Sequence, residues 1–155
     1  MASASGIQAT VDADVRNASI GDADDVARLL TDLGYPCERH EAAERISTTT
    51  SDERQALLLA RCEGRACGLL ALDFMYSLPL GTTTCRITAL VIAPEAQRRG
   101  LGRQLLREAE RRARMASAAR LELASAAHRV EAHAFYRACG FGEGAVRFVK
   151  LLGDA

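Results

Sequence analysis

The chain has 155 residues, the length of one domain around a single core. Hydrophobic residues make up 48% and the formal net charge is zero, which excludes a disordered chain and leaves no overall charge to draw in nucleic acid or an anionic membrane. No apolar run reaches the roughly 18 residues that a membrane-spanning helix needs.

Met1 to Thr10 is small and polar, with no basic-then-apolar pattern, so it reads as a disordered tail and not as a signal peptide. Residues 11–155 then read as a single domain. A first strand is expected over 11–18, with Val11 and Val15 as its apolar signal. Ser19 is placed to cap a helix, with Asp22 three residues on. Ala23, Val26, Ala27, Leu30 and Leu33 recur at helical spacing, and Gly34 ends the run. A second, short helix is expected over 39–48, followed by a polar loop, Ser47 to Ser51, that forms a mobile rim. Ala56 to Cys62 and Ala66 to Met75 read as paired strands around the Glu63-Gly64-Arg65 turn. Thr83 to Ile92 is the next strand, and Leu101 to Met115 is a long amphipathic helix. Arg120 to Ala124 reads as a short strand and Val130 to Cys139 as a helix ended by Gly140. Phe141 opens another strand, and Val146 to Leu152 is the last. The expected fold is therefore α/β (α+β), with a mixed, largely antiparallel sheet of about seven strands and helices on both faces.

The five cysteines, Cys37, Cys62, Cys67, Cys85 and Cys139, are odd in number, form no C-x-x-C pair and have no zinc-like spacing with His40, His128 or His133. They read as reduced, small apolar residues of a cytosolic protein, with no metal site. Lys150 is the only lysine among 20 basic side chains, so self-modification on lysine has one internal target. The run Arg111-Arg112-Ala113-Arg114 alternates with the stripe Leu101, Leu105, Leu106 and Ala109, which marks a solvated helix face and not a nucleic-acid patch.

The most informative stretch is Gln97-Arg98-Arg99-Gly100-Leu101-Gly102, between a strand and a helix. Glycines let the backbone turn tightly and approach a ligand closely. A helix start offers unpaired N–H groups and the positive end of its dipole, a combination that binds phosphate or pyrophosphate.

Two marks carry a resemblance. The first is Leu90-Val91-Ile92-Ala93-Pro94-Glu95-Ala96 followed by Gln97 to Gly102. The second is Ala134-Phe135-Tyr136-Arg137-Ala138-Cys139-Gly140-Phe141, one helix and one strand later. Together they resemble the GNAT superfamily of N-acetyltransferases over about residues 11–152. His128 to Tyr136, Val146 to Lys150 and Leu29 to Pro36 are similar to a branch of small bacterial enzymes that includes aminoalkylphosphonate N-acetyltransferases.

The resemblance implies that acetyl-CoA is the cosubstrate and a small primary amine the acceptor. It implies that the amides from Arg98 through Arg99, Gly100, Leu101 and Gly102 to Arg103, with Gln97 ahead of them, hold the pyrophosphate. It places pantetheine against the backbone of Leu90, Val91 and Ile92, and gives Tyr136 the role of acid toward the departing thiolate. Arg129 stands where many relatives carry an Asn that touches pantetheine. For Arg129 and His133, contact with CoA phosphates or substrate and a capping or packing role are both open. No carboxylate occupies the strand before the glycine turn, where Arg86 and Thr88 stand. Asp73, Glu122 or a water chain are the candidate bases, and none is assigned. The acceptor pocket is expected from residues 33–48, 73–80 and the last hairpin. Neither nucleic acid nor a membrane is expected as a partner, and a homodimer through the C-terminal strands is compatible with the resemblance. Two other readings stand beside this one: a protein N-terminal or lysine acetyltransferase, and a non-catalytic acyl-CoA sensor.

Overall fold

The computed structural model describes residues 13–124 and 130–153. The chain forms two compact units divided between Leu123 and Ala124. The first unit contains β1 (Asp14–Asn17), α1 (Ala23–Leu33), α2 (Arg39–Thr50), β2 (Gln55–Cys62), β3 (Arg65–Ser77), β4 (Thr82–Ile92), α3 (Leu101–Met115) and β5 (Leu121–Leu123). The second contains α4 (Val130–Ala138).

The sheet runs in the order β1-β2-β3-β4-β5, antiparallel except for the parallel β4–β5 pair that α3 connects. Leu57 to Ala60 of β2 and Ala66 to Leu70 of β3 are buried at every position, as strands covered on both faces must be. One face belongs to α3, whose Leu105 lies beside Gly68, Ala60 and Ile92. The strand register therefore sends Leu58, Leu70 and Leu90 to that face, and Leu59, Leu69 and Val91 to the other. α1 packs on β3 and β4, and α2 on β2.

The two principal helices form for legible reasons. α1 buries Ala23, Val26, Ala27 and Leu29 and ends at Gly34, whose φ of 109° suits a residue without Cβ. α3 buries Leu101, Leu105, Leu106, Ala109 and Ala113, one stripe at helical period, while Arg112 and Arg114 meet the negative end of its dipole.

Three expectations are corrected. The sheet has five strands among the described residues, not about seven. Val146 to Leu152 carries β-branched and aromatic residues, but strand propensity expresses itself only against a partner, and no backbone ladder includes that segment. Phe141 likewise opens no strand. The expected loop at Ser47 to Ser51 is helical through Thr50, because Thr50 Oγ1 donates to the Ile46 carbonyl at 2.8 Å and Ile46 anchors that turn in the core. The tail, residues 1–10, lies outside the described residues.

The entry into α1 is pinned by a buried charge. Asp22 accepts 3.1 and 2.8 Å hydrogen bonds from Arg16 of β1 and one of 2.8 Å from the Ser19 amide, and Arg61 of β2 stands at 3.6 Å. The Arg16 guanidinium, above all, holds the Asp22 carboxyl below the ordinary carboxylate range, against the opposing effect of burial. A depressed carboxylate pKa contributes stability that is present above the unfolded-state pKa near 4 and is lost as pH falls through the folded value. Asp22→Ala is expected to lower stability by about 2–3 kcal/mol at pH 7. Urea unfolding at stepped pH should show that deficit shrinking below pH 4, as the parent protein loses the same interaction.

Candidate active site

The end of β4 and the start of α3 are held as one rigid turn. The Ala93 amide donates to the Cys67 carbonyl at 2.8 Å, and Pro94 to Ala96 form a single 3-10 turn. The Gln97 side chain donates to the Ile92 carbonyl at 3.3 Å, so this expected ligand residue ties the turn back to the strand. Glu95 stands 3.9 Å from Arg28 of α1 and 3.5 Å from Arg65 of β3. Arg28 also donates to the Ala66 carbonyl at 2.6 Å, which fixes α1 to the same corner.

Backbone handedness then alternates. Arg98 has φ 65°, Arg99 returns to negative φ, and Gly100 has φ 83°. Such alternation turns successive N–H groups into a concave anion site. Arg98 is not glycine, and its positive φ marks local strain of the kind found at binding turns. The first helical bond of α3 runs from the Gln104 amide to the Gly100 carbonyl at 3.1 Å, so the donors ahead of it belong to the helix start. Leu101 is buried in the core and Gly102 half-buried, so what these two can offer a ligand is backbone. Arg98 and Arg103 are exposed and Arg99 half-buried. The turn is thus a fit for a pyrophosphate: N–H groups, a helix dipole and arginine side chains.

Sheet irregularities set the approach. β3 carries Cys67 as an extra residue opposite Ala60 and Arg61, and β4 carries Thr88 as an extra residue opposite Ala71 and Leu72. The parallel ladder to β5 ends at Ile87 and Leu123, just before Thr88. From Thr88 to Ile92, β4 therefore pairs with β3 alone among the described residues. Val91 is buried and Leu90 and Ile92 half-buried. The free edge is backbone, the kind of edge onto which an amide-bearing chain adds like a strand.

The face opposite α3 turns polar beyond the core. Gln55, Asp73, Arg86 and Glu122 pair in sequence across β2, β3, β4 and β5, and so form one row on one face. A cleft of about 480 Å³ opens beside this row at the β3–β4 hairpin, lined in part by Met75, Tyr76, Leu80, Arg86, Arg120 and Glu122. The bulges and the row were missed in the sequence because both depend on strand register.

In the second unit, Tyr136 sits half-buried on α4, its ring centroid 5.6 Å from that of Phe135 and 6.0 Å from that of Phe141. The Phe141 amide donates to the Tyr136 carbonyl at 3.0 Å, and Gly140 with φ 96° lets the chain turn there. Arg129 lies outside the described residues. All five cysteines are free. Burial, first of all, pushes the Cys67 thiol up to about 12 and Cys85 up to about 11, which leaves both as unreactive packing groups. Glu38, His40 and Glu41 cluster at the start of α2, where the Glu41 carboxylate caps the Glu38 amide at 3.0 Å.

The acetyltransferase (GNAT) family matches residues 23–141. An aminoalkylphosphonate N-acetyltransferase of Salmonella typhimurium is 30% identical over 144 residues, covering 90% of this chain and 91% of that protein. A GNAT family acetyltransferase of Staphylococcus aureus has a similar structure, with a TM-score of 0.78 at 24% identity over 90% of this chain and 98% of its own. A 6'-N-acetyltransferase for aminoglycoside antibiotics from Acinetobacter haemolyticus gives 0.75 at 22%, over 90% and 99%. At those identities the structural likeness is one of fold.

A Cβ built on Gly68 would stand 3.1 Å from both Ile92 Cδ1 and Leu105 Cδ1. Gly68→Val should therefore push α3 away from β4 and cost about 1–3 kcal/mol. Hydrogen exchange is expected to speed up first in the opening turns of α3, residues 101–106, and less in α1.

Proposed function

We propose that this chain, which belongs to the GNAT family of acetyltransferases, moves an acetyl group onto the primary amine of a small molecule by direct attack within a ternary complex. That it is an acyltransferase drawing on acetyl-CoA follows from the family. The small acceptor, the direct attack and the residue roles are the proposal. The observation that carries it is the turn from Gln97 to Gly102 at the head of α3, beside a β4 edge that no strand covers among the described residues. The kinship to an aminoalkylphosphonate N-acetyltransferase over nearly the whole chain supports a small amine as acceptor.

In this reading the amides from Arg98 to Arg103 hold the pyrophosphate, with Arg98, Arg99 and Arg103 adding charge and Gln97 keeping the turn in shape. The backbone of Leu90, Val91 and Ile92 pairs with pantetheine, and Arg129 adds a contact to the same cosubstrate. The thioester supplies an activated acetyl group. The neutral amine forms the N–C bond, the C–S bond breaks, and the amine's proton passes to a carboxylate or water. Tyr136 gives its hydroxyl proton to the departing thiolate and regains one from solvent. What supports that role is the match of Phe135-Tyr136 and Gly140-Phe141 to the family's second mark. β4 offers Arg86 and Thr88, so the carboxylates of that face are Asp73 on β3 and Glu122 on β5. Bringing both reactants together supplies much of the acceleration without an acetyl-enzyme. Residues 11–155 acting as one catalytic domain, in the cytoplasm and as a homodimer, belong to the same proposal.

Calorimetric titration with acetyl-CoA, followed by thiol release over an amine panel, tests it. Saturable binding with turnover of at least one small amine is expected, and Tyr136→Phe should lower kcat about 100-fold with the acetyl-CoA Kd unchanged. No acetyl-CoA binding would remove the roles given to the glycine turn. Turnover of peptides alone would move the acceptor to protein.

A further inference from the structure

We infer that Arg107, Arg111 and Arg114 on the exposed face of α3 form an electrostatic guide that speeds capture of acetyl-CoA at the glycine turn without touching it once it is bound. The inference rests on the acetyltransferase reading above and adds how the cosubstrate is captured.

The first observation is that charge is unevenly spread over a chain that is neutral as a whole. Between Gln97 and Met115 lie seven arginines and two glutamates, an excess of five positive charges. Between Asp22 and Glu53 lie nine acids and three arginines, an excess of six negative charges. The first stretch is the glycine turn with α3, and the second holds α1 and α2. The central strands are buried on both faces and α3 covers one, so α1 and α2 cover the other. The unit is therefore polarised across its sheet. A polyanion such as acetyl-CoA is repelled from one face and drawn to the other.

The second observation is the placement of the positive excess. Arg103, Arg107, Arg111 and Arg114 recur at spacings of four, four and three residues, so they form one stripe along α3, and all four are exposed. The stripe runs back to the turn that carries Arg98 and Arg99. The positive end of the helix dipole lies at that same end and adds to the field. The two acids of α3 cancel only part of it: Glu108 accepts from both Arg111 and Arg112, and Glu110 stands 3.9 Å from Arg114.

Reach decides which arginines count. At about 1.5 Å of rise per residue, Arg107 lies about 6 Å beyond Arg103, Arg111 about 12 Å and Arg114 about 17 Å. The screening length is about 10 Å at 0.1 M salt and about 30 Å at 0.01 M. Arg107 therefore acts on a phosphate at the turn in both conditions, whereas Arg111 and Arg114 act chiefly at low salt. A charge that stands off the site lowers the energy of the encounter and of the bound state alike, so its loss slows association and leaves dissociation unchanged.

The test is stopped-flow binding of a fluorescent etheno-adenine analogue of acetyl-CoA to the full chain, which has no tryptophan to report on its own. At about 20 mM salt, Arg107→Glu and Arg111→Glu should each lower kon about fivefold and leave koff within about twofold. Arg107→Lys should keep the parent kon within about twofold, because charge and not a hydrogen-bonding fork is at work. Arg45→Glu, on α2, changes the net charge by the same amount from the other face and should leave kon within about twofold. At about 0.5 M salt the deficit of Arg111→Glu should disappear. A loss expressed in koff would make these arginines ligand contacts. An equal fall with Arg45→Glu would make the effect one of net charge, and a kon indifferent to salt would remove the field. Each of these three outcomes overturns the guide and leaves the acetyltransferase reading standing. Absence of binding by the parent protein would instead strike that earlier reading, and the guide with it.

Discussion

The distance between α3 and the sheet is the constraint on which the rest of the structure depends, and Gly68 sets it. Leu105 and Ile92 both occupy the space a side chain at Gly68 would need. Because they can, α3 lies flat on β3 and β4 and its first turn arrives at the end of β4. The magnitudes decide which force does this. Each fully buried leucine of the α3 stripe contributes about 1.5–3 kcal/mol, whereas a charge at a helix end is worth about 0.3–1 kcal/mol. Packing therefore places the helix start, and its electrostatics are exploited only afterwards.

The two bulges follow from the same corner. Cys67 is the extra residue of β3 toward β2, but toward β4 its carbonyl accepts from the Ala93 amide as the next rung after Gly68 and Ile92. That bond ends β4 and begins the turn. Thr88 is the extra residue of β4, and its hydroxyl donates to the Ala71 carbonyl at 3.4 Å, back into the neighbouring strand. The bulge falls one residue beyond the last β4–β5 pair, where the sheet stops being a closed ladder. The β3–β4 ladder thus runs into the turn, and the β4 bulge marks where its other edge is unpaired among the described residues, while the core beneath stays regular.

The helices and the glycine turn were legible in the sequence because their signals are local. The apolar stripes of α1 and α3 repeat every three or four residues, and Gly34 and Gly100 stand where the backbone is left-handed. The β2–β3–β4 meander was legible from apolar runs, and β3 and β4 run past the expected Met75 and Thr83 to Ser77 and Thr82, the two sides of the expected interruption at Leu78 to Gly81. The last two expected strands failed because strand character needs a partner, which composition does not reveal. The polar row escaped for a related reason. Asp73, Arg86 and Glu122 are far apart in the chain, and a shift of one residue in register would turn them to opposite faces. Gln97 was legible as part of the turn, but its bond to the Ile92 carbonyl was not.

On the face opposite α3 the strands change character along their length. Leu59, Leu69 and Val91 form an apolar row, Leu57, Ala71 and Ala89 a smaller one, and Gln55, Asp73, Arg86 and Glu122 a charged one. The first two rows contribute core. The third adds little to stability, since half-exposed ion pairs are worth about 0–1 kcal/mol and these do not reach hydrogen-bond distance. Arg16 and Asp22 show what the same chemistry looks like when the fold uses it: two hydrogen bonds, a buried carboxylate and a depressed pKa. The contrast separates charges that hold the chain together from charges that add little to its stability, and the end of the sheet around Cys67 and Ala93 is the one that anchors the glycine turn.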